Sequence, residues 1–297
     1  MISLENFYKE VQGKKERRQR ILVRLLRFLY RYIVLKSYPK GNVCDFAFIT
    51  ICRKSDFDMV RASIWTFLKN SRLHPSEIVI VSDGSWNTDD ASKYFSKFNI
   101  NVKAVSWETC AKYYEHSLPS LYSWACQHIW GKKMASILYL SESRPVLFSD
   151  PDILWYNTPF SENELNSMIF KTSIDNCHSY DQDAIKDLHY EYLNEDAPIN
   201  CGAVFLHGGL STLTDEAKKC IDYEANKPGR FAEQTVFGIM NQKYQNLWSM
   251  QEVTSEVSDL LNPIWKPTIK YKRMIARHYL WRLKWIYWKD LFSEIIK

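Results

Sequence analysis

No stretch of this 297-residue chain approaches the roughly 20 consecutive apolar residues that a membrane-spanning helix needs. Met1 to Gly13 also lack the apolar run of a secretory signal, so a cytosolic protein is expected. Cysteine is sparse and unpatterned: seven residues, at 44, 52, 110, 126, 177, 201 and 220, with no C-x-x-C pair. Most lie inside apolar stretches such as Phe46 to Cys52, which predicts reduced, buried thiols. There is no internal repeat and no low-complexity segment, which excludes solenoid and linker-dominated architectures.

What is present is enough apolar material for a large core, 46% of residues, at a length near the upper end of a single domain. The net charge of +5 is unevenly spread. Residues 14 to 40 hold ten Lys or Arg against Glu16, and residues 264 to 297 hold nine against Asp290 and Glu294, leaving the remainder at −11. Two basic ends around an acidic middle fit a metal-binding core flanked by surfaces for anionic lipid better than a nucleic-acid groove, and no nucleic-acid partner is expected.

Residues 14 to 36 have helical spacing, with Ile21, Leu22, Leu25, Leu26, Leu29, Tyr32 and Ile33 on one side and Arg20, Arg24, Arg27 and Arg31 on the other. That pattern serves a helix lying on a membrane and a helix packed on the domain equally well. Tyr38-Pro39-Lys40-Gly41 ends it. From Asp45 onward, short apolar runs alternate with helical stretches. Strands are expected at Asp45 to Cys52, Glu77 to Ser82, Asn101 to Ser106, Pro145 to Ser149 and Ile199 to His207. Helices are expected at Asp58 to Asn70, Pro119 to Ser141 and Thr214 to Ala225. This alternation argues an α/β fold with a mostly parallel sheet covered by helices, whose ligands bind where strands end. Arg53 and the Asp83-Gly84-Ser85 turn occupy two such ends. The last forty residues interleave Trp265, Trp281, Trp285, Trp288 and Phe292 with Lys and Arg, giving a second basic helix and a candidate membrane-facing end.

The strongest local signal is VLFSDPDILW, an apolar strand ending in Asp150 and Asp152. Carboxylates two residues apart at a strand end share a face and can aim at one point. They repel unless a cation sits between them, and Mn²⁺ or Mg²⁺ also bridges diphosphate oxygens. Near the other end, His278 offers imidazole and Lys284 offers a point charge for phosphate. Glu233-Gln234 opens a helical stretch, where the glutamate serves either as a base near an acceptor or as a helix N-terminal charge. Lys132-Lys133 could reach a donor phosphate but reads more readily as an exposed face, and Asp175, Asp181 and Asp183 could bind acceptor hydroxyls but read as solvated loop.

Taken together, VLFSDPDILW, the later INCGAVFL, and HY followed by KW resemble the nucleotide-diphospho-sugar transferases of the GT-A fold, especially glycosyltransferase family 8. The resemblance spans roughly residues 45 to 285 and departs from the family's C-terminal motif in Trp281 and in the missing proline before Trp285. It implies a GT-A-like catalytic domain over 42–263, an N-terminal helical extension over 1–41, and a 264–297 segment completing the donor site. It further implies metal ligation by Asp150, Asp152 and His278, and donor-phosphate contact by Lys284. Asn200 and Gly202 would lie against the donor sugar, Asp83 and Arg53 near the nucleotide, and Glu233-Gln234 beneath the reacting sugar. The implied activity moves a sugar from a nucleotide-diphosphate donor, a UDP-sugar first among them, to a glycan or lipid-linked acceptor in surface polysaccharide synthesis at the inner face of the cell membrane. One rival, a sugar-phosphate nucleotidyltransferase, needs a glycine-rich loop that Ile51 to Asp56 do not provide. The other is a non-catalytic membrane- or nucleic-acid-binding protein in which D-P-D is a turn.

Overall fold

The computed structural model describes residues 14–33, 35, 40–98, 100–262, 266–268, 270–280 and 283–297. Met1 to Gly13, Tyr38-Pro39, Trp265, Trp281 and the side chain of Arg20 lie outside the described residues. Among the described residues the strands are β1 (Asn42–Cys52), β2 (Leu73–Ser82), β3 (Lys103–Ser106), β4 (Val146–Ser149), β5 (Ile153–Trp155), β6 (Phe170–Ile174), β7 (Ile199–Leu206), β8 (Leu247–Trp248), β9 (Val253–Thr254) and β10 (Ala276–His278). The helices are α1 (Lys14–Tyr32), α2 (Phe57–Asn70), α3 (Thr88–Phe95), α4 (Trp107–Lys112), α5 (Pro119–Gln127), α6 (Ile129–Leu140), α7 (Glu162–Ser167), α8 (Gln182–Leu188), α9 (Asp215–Asn226), α10 (Ala232–Tyr244) and α11 (Lys284–Ile296).

Seven strands form one sheet in the order β3-β2-β1-β4-β7-β6-β8. β1 pairs in parallel with both β2 and β4, and β2 with β3, while β7 runs antiparallel between β4 and β6. Every residue of β4 and β7 is buried, as expected of strands covered on both faces, and their near-continuous apolar runs reflect it. Because β1, β2 and β4 are parallel, the residues that follow them, Arg53, Asp83 and Asp150, emerge along one edge of the sheet.

A second, three-stranded sheet, β5-β10-β9, completes that edge. β10 runs antiparallel to β5 with His278 opposite Ile153, the residue just after Asp152. Strands of two or three residues carry no readable periodicity, and β5 and β8 to β10 were not foreseen; nor was the five-residue β6.

The helical stretch expected from Pro119 to Ser141 is two helices. His128 is extended (φ −142°, ψ 146°), and its Nδ1 accepts from the Trp130 N–H at 3.3 Å to cap α6. Gly131 permits the tight junction, since a Cβ there would lie 2.5 Å from the Trp124 and Ala125 backbone. Of the C-terminal aromatics, Trp285 and Trp288 serve the core. Trp285 and Trp288 of α11 are buried with Tyr30 of α1 and Trp65 of α2, so they are not available to a lipid interface. Trp124, Trp155, Trp248 and Trp288 are fully buried, each removing on the order of 200 Å² from water.

Candidate active site

The turn between β4 and β5 is Asp150-Pro151-Asp152, and backbone bonds at both ends fix it. Asp150 N–H donates to the Gly202 carbonyl at 2.7 Å, and Tyr279 N–H donates to the Asp152 carbonyl at 2.9 Å. The main sheet thereby places one carboxylate and the small sheet aligns the other with His278. Ligand atoms of Asp150, Asp152 and His278 all lie within 4.8 Å of one another.

The imidazole's orientation follows from a chain of hydrogen bonds. The Gly202 N–H donates to Asn200 Oδ1 at 2.9 Å, which establishes that this atom is the amide oxygen. His278 Nδ1 lies 2.9 Å from the same oxygen and must therefore carry a proton and donate it. In the neutral ring, that leaves the Nε2 lone pair facing Asp152 Oδ1 at 3.2 Å and Asp150 Oδ2 at 3.7 Å. Two carboxylates and a ring lone pair repel one another unless a proton or a cation sits among them. Burial disfavours a charged His278, yet the Asp152 carboxylate and then Asp150 outweigh it and raise its pKa above the ordinary value. Two oxygens and an imidazole nitrogen, oriented by a hydrogen-bonded neighbour, form a donor set suited to Mn²⁺ or Mg²⁺. Gly202 is part of the device. A Cβ at this position would lie 2.4 Å from His278 Nδ1 and 3.0 Å from Asn200 Oδ1.

Two lysines border the carboxylates. Lys284, the first residue of α11, is hydrogen-bonded to Asp152. Burial opposes ionisation of Asp152, but the charges of Lys284 and His278 outweigh it and hold this carboxyl well below the usual range. Asp150 is shifted the other way: burial raises it, and the neighbouring Asp152 adds to that against the opposing charges of Lys133 and His278.

Lys133 is the residue that sequence reasoning missed. Its ammonium sits 3.2 Å from Asp150 Oδ2, 3.6 Å from Glu233 Oε1 and 3.8 Å from Cys201 Sγ, and 4.7 Å from the Phe148 ring centroid. It is buried in α6, a helix covered on nearly all sides, where Met134, Ala135, Ile137 and Leu138 are buried too. A lysine four residues before Ile137 on an apolar helix face was the available signal. Lys132 is engaged as well, donating to the Asp83 carbonyl at 2.8 Å and lying 4.3 Å from the Trp107 ring centroid.

Glu233 and Gln234 open α10, and both are buried. Burial raises Glu233 above its ordinary value against the opposing charge of Lys133, and its Oε2 has no hydrogen-bond partner. Gln234 donates to Asp175 Oδ2 at 3.4 Å, and Ser255 donates to Asp175 Oδ1 at 2.8 Å. Asp175 is thus a buried network member, not solvated loop. Asp181 is buried too, capping α8, whereas Asp183 is exposed and paired with Lys227. Arg53 lies 3.9 Å from Asp83 Oδ2, joining the ends of β1 and β2. The structure therefore brings Asp150, Asp152, His278, Lys284, Asn200, Gly202 and Glu233 into one cluster, and sets Arg53 with Asp83 as a second group on the same edge. The Asn200 side-chain oxygen is committed to the imidazole and the Gly202 N–H.

No protein-family model matches this chain, and no curated protein matches its sequence. Solved structures do match. Mouse xyloside xylosyltransferase 1, in its apo form, aligns with 79% of this chain and 97% of its own at a TM-score of 0.51 and 8% identity. The apo structure of the bifunctional glycosyltransferase WbbM aligns with 89% of this chain at a TM-score of 0.51 and 11% identity. Only 53% of WbbM is covered, so this chain spans about half of that protein. Both neighbours are GT-A glycosyltransferases, and the fold of this chain is the GT-A fold.

Proposed function

We propose that this chain is a metal-dependent glycosyltransferase that takes a sugar from a nucleotide-diphosphate donor, a UDP-sugar first among them. The single observation that carries the reading is the convergence of Asp150, Asp152 and the Nε2 lone pair of His278 at the end of β4. A divalent ion held by these three would neutralise the charge that builds on the departing diphosphate. Lys284 stands beside Asp152 to share in holding the phosphates. Arg53 and Asp83 stand at the neighbouring strand ends for the nucleoside. Glu233, held by Lys133 with Gln234 beside it, would stand beneath the reacting sugar, its Oε2 buried and without a hydrogen-bond partner. The acceptor in this reading is a glycan or a lipid-linked sugar, met at the inner face of a membrane during surface polysaccharide synthesis. Among the described residues, no helix is long and apolar enough to cross one.

The test is thermal unfolding with UDP, GDP and CMP, each with and without Mn²⁺, because a ligand bound only by the folded state raises the midpoint. A rise with one nucleotide that requires metal and vanishes in Asp152→Ala is expected and identifies the donor's nucleotide. The same profile with and without every nucleotide and metal overturns the reading.

A further inference from the structure

Helix α1 is apolar on two faces. Its inner face, Leu22, Val23, Leu26 and Tyr30, packs in the cluster that holds α11, with the Tyr30 and Trp288 rings 5.4 Å apart. Arg27 and Arg31 fasten one flank, both bonding Asp58 Oδ2, at 2.9 and 3.1 Å. The expected single apolar stripe is therefore divided. Leu22 and Leu26 turn inward, while Ile21, Leu25, Phe28, Leu29 and Tyr32 point outward and are 43 to 72% exposed. Phe28 and Tyr32 pack on each other, their ring centroids 5.1 Å apart, and Arg24 is exposed beside them. A helix apolar on both sides calls for cover on both, and among the described residues nothing covers the outer one.

We infer that the outer face of α1 is a seat on an anionic lipid bilayer, with Ile21, Leu25, Phe28, Leu29 and Tyr32 entering the headgroup boundary. Charge selects this occupant. Residues 14 to 40 carry a net +9, which an anionic leaflet attracts and which a second copy, meeting the same face about a two-fold axis, would repel. The helix lies flat on the domain, since its opposite face is packed, so it presents the side-on geometry of an interfacial helix. The seat is also close to the candidate active site. Arg27 hydrogen-bonds the Ser55 carbonyl in the turn after β1, and the neighbouring Asp56 feels the charge of Lys284, the partner of Asp152. That the seat brings the site to a lipid-linked acceptor rests on the transferase reading, whereas the seat itself does not.

Co-sedimentation of the full chain with phosphatidylcholine vesicles and with mixed phosphatidylcholine–phosphatidylglycerol vesicles tests it. Binding to the anionic vesicles alone, weakened by salt, is expected. Phe28→Glu should lower the partition coefficient more than about tenfold, from lost apolar burial. Arg24→Glu, a change of two charges, should lower it roughly thirtyfold at low salt. Both side chains are exposed, so the melting temperature and any shift with nucleotide and Mn²⁺ should be unchanged in the variants. Failure of the wild type to bind anionic vesicles, or equal binding by Phe28→Glu, overturns the seat. A dimer in sedimentation velocity that Phe28→Glu dissociates, without lipid binding, also overturns it in favour of self-association. Vesicle binding with no nucleotide or metal response leaves the seat standing and removes the transferase.

Discussion

Gly202→Ala is the sharpest probe of the candidate metal site, because it alters no ligand and no charge. The new methyl would lie 2.4 Å from His278 Nδ1 and 2.5 Å from Cε1, against an ordinary contact above 3.4 Å, so the ring or the strand must move by about 1 Å. Overpacking of this kind costs about 1–3 kcal/mol in stability, leaving a folded protein to assay. The displaced ring loses its bond to Asn200 and carries Nε2 away from Asp152, and loss of such an orienting contact lowers metal affinity about 10- to 100-fold, or roughly 1.4–2.7 kcal/mol. The assay is titration of the protein into Mn²⁺ with the free ion followed by electron paramagnetic resonance, alongside circular dichroism to establish that the fold persists. Asn200→Ala should weaken binding in the same direction, since Nδ1 then has no partner. Wild-type Mn²⁺ affinity in a folded Gly202→Ala protein would refute the assignment of His278 as a ligand.

Three further outcomes follow from the buried charges. Lys133→Met leaves Asp150 and Glu233 facing each other without their shared cation and should cost about 3 kcal/mol at neutral pH; the deficit in urea midpoint should shrink in acid, as Glu233 takes up a proton, and a deficit independent of pH would contradict the pairing. Glu224 is buried beside Asp181 with Gly229 N–H bonded to its Oε2, and burial, supported by the Asp181 charge, raises its pKa from 4.5 to about 8. A carboxyl raised in this way stabilises the fold below its unfolded pKa and loses that contribution as pH rises through the folded value, so Glu224→Gln should gain stability over wild type at about pH 9 but not at about pH 5. Asp58 is held below the usual carboxylate range: burial opposes this, but the Tyr94 hydroxyl and Arg27 and Arg31 outweigh it. Asp58→Asn should weaken α1 docking by about 2 kcal/mol and speed hydrogen exchange across residues 19 to 32, whereas unchanged protection would show that packing on α11 alone holds the helix.

How much of this was legible in the sequence depended on the distance over which each feature is encoded. Asp150 and Asp152 were readable because a short apolar run, VLFS, points directly into them, and a strand buried on both faces has that signature whatever surrounds it. The parallel part of the sheet was readable through the apolar runs of β1 and β2, and the buried strand β7, which runs antiparallel, through its own. His278 was reachable only by resemblance. It lies far along the chain from Asp152 and is brought there by β5, β9 and β10, strands too short for any period to show.

Lys133, Trp285 and Trp288 were misjudged through one shared cause. Lysine is taken as exposed, and tryptophan beside lysine as interfacial, because composition reports what a side chain prefers on average and not which partners it meets. Here Lys133 meets Asp150 at the end of β4 and Glu233 at the start of α10, and its burial is compensated by two carboxylates that the sequence places 17 and 100 positions away. Trp285 and Trp288 meet Tyr30 and Trp65, which belong to helices some 220 or more residues earlier, and they become core. Moving those tryptophans inward also relocates the membrane question. With α11 packed against α1, the apolar surface that α1 leaves outside is that of Ile21, Leu25, Phe28, Leu29 and Tyr32, and α11 holds the N-terminal helix flat and fixes which of its faces looks outward.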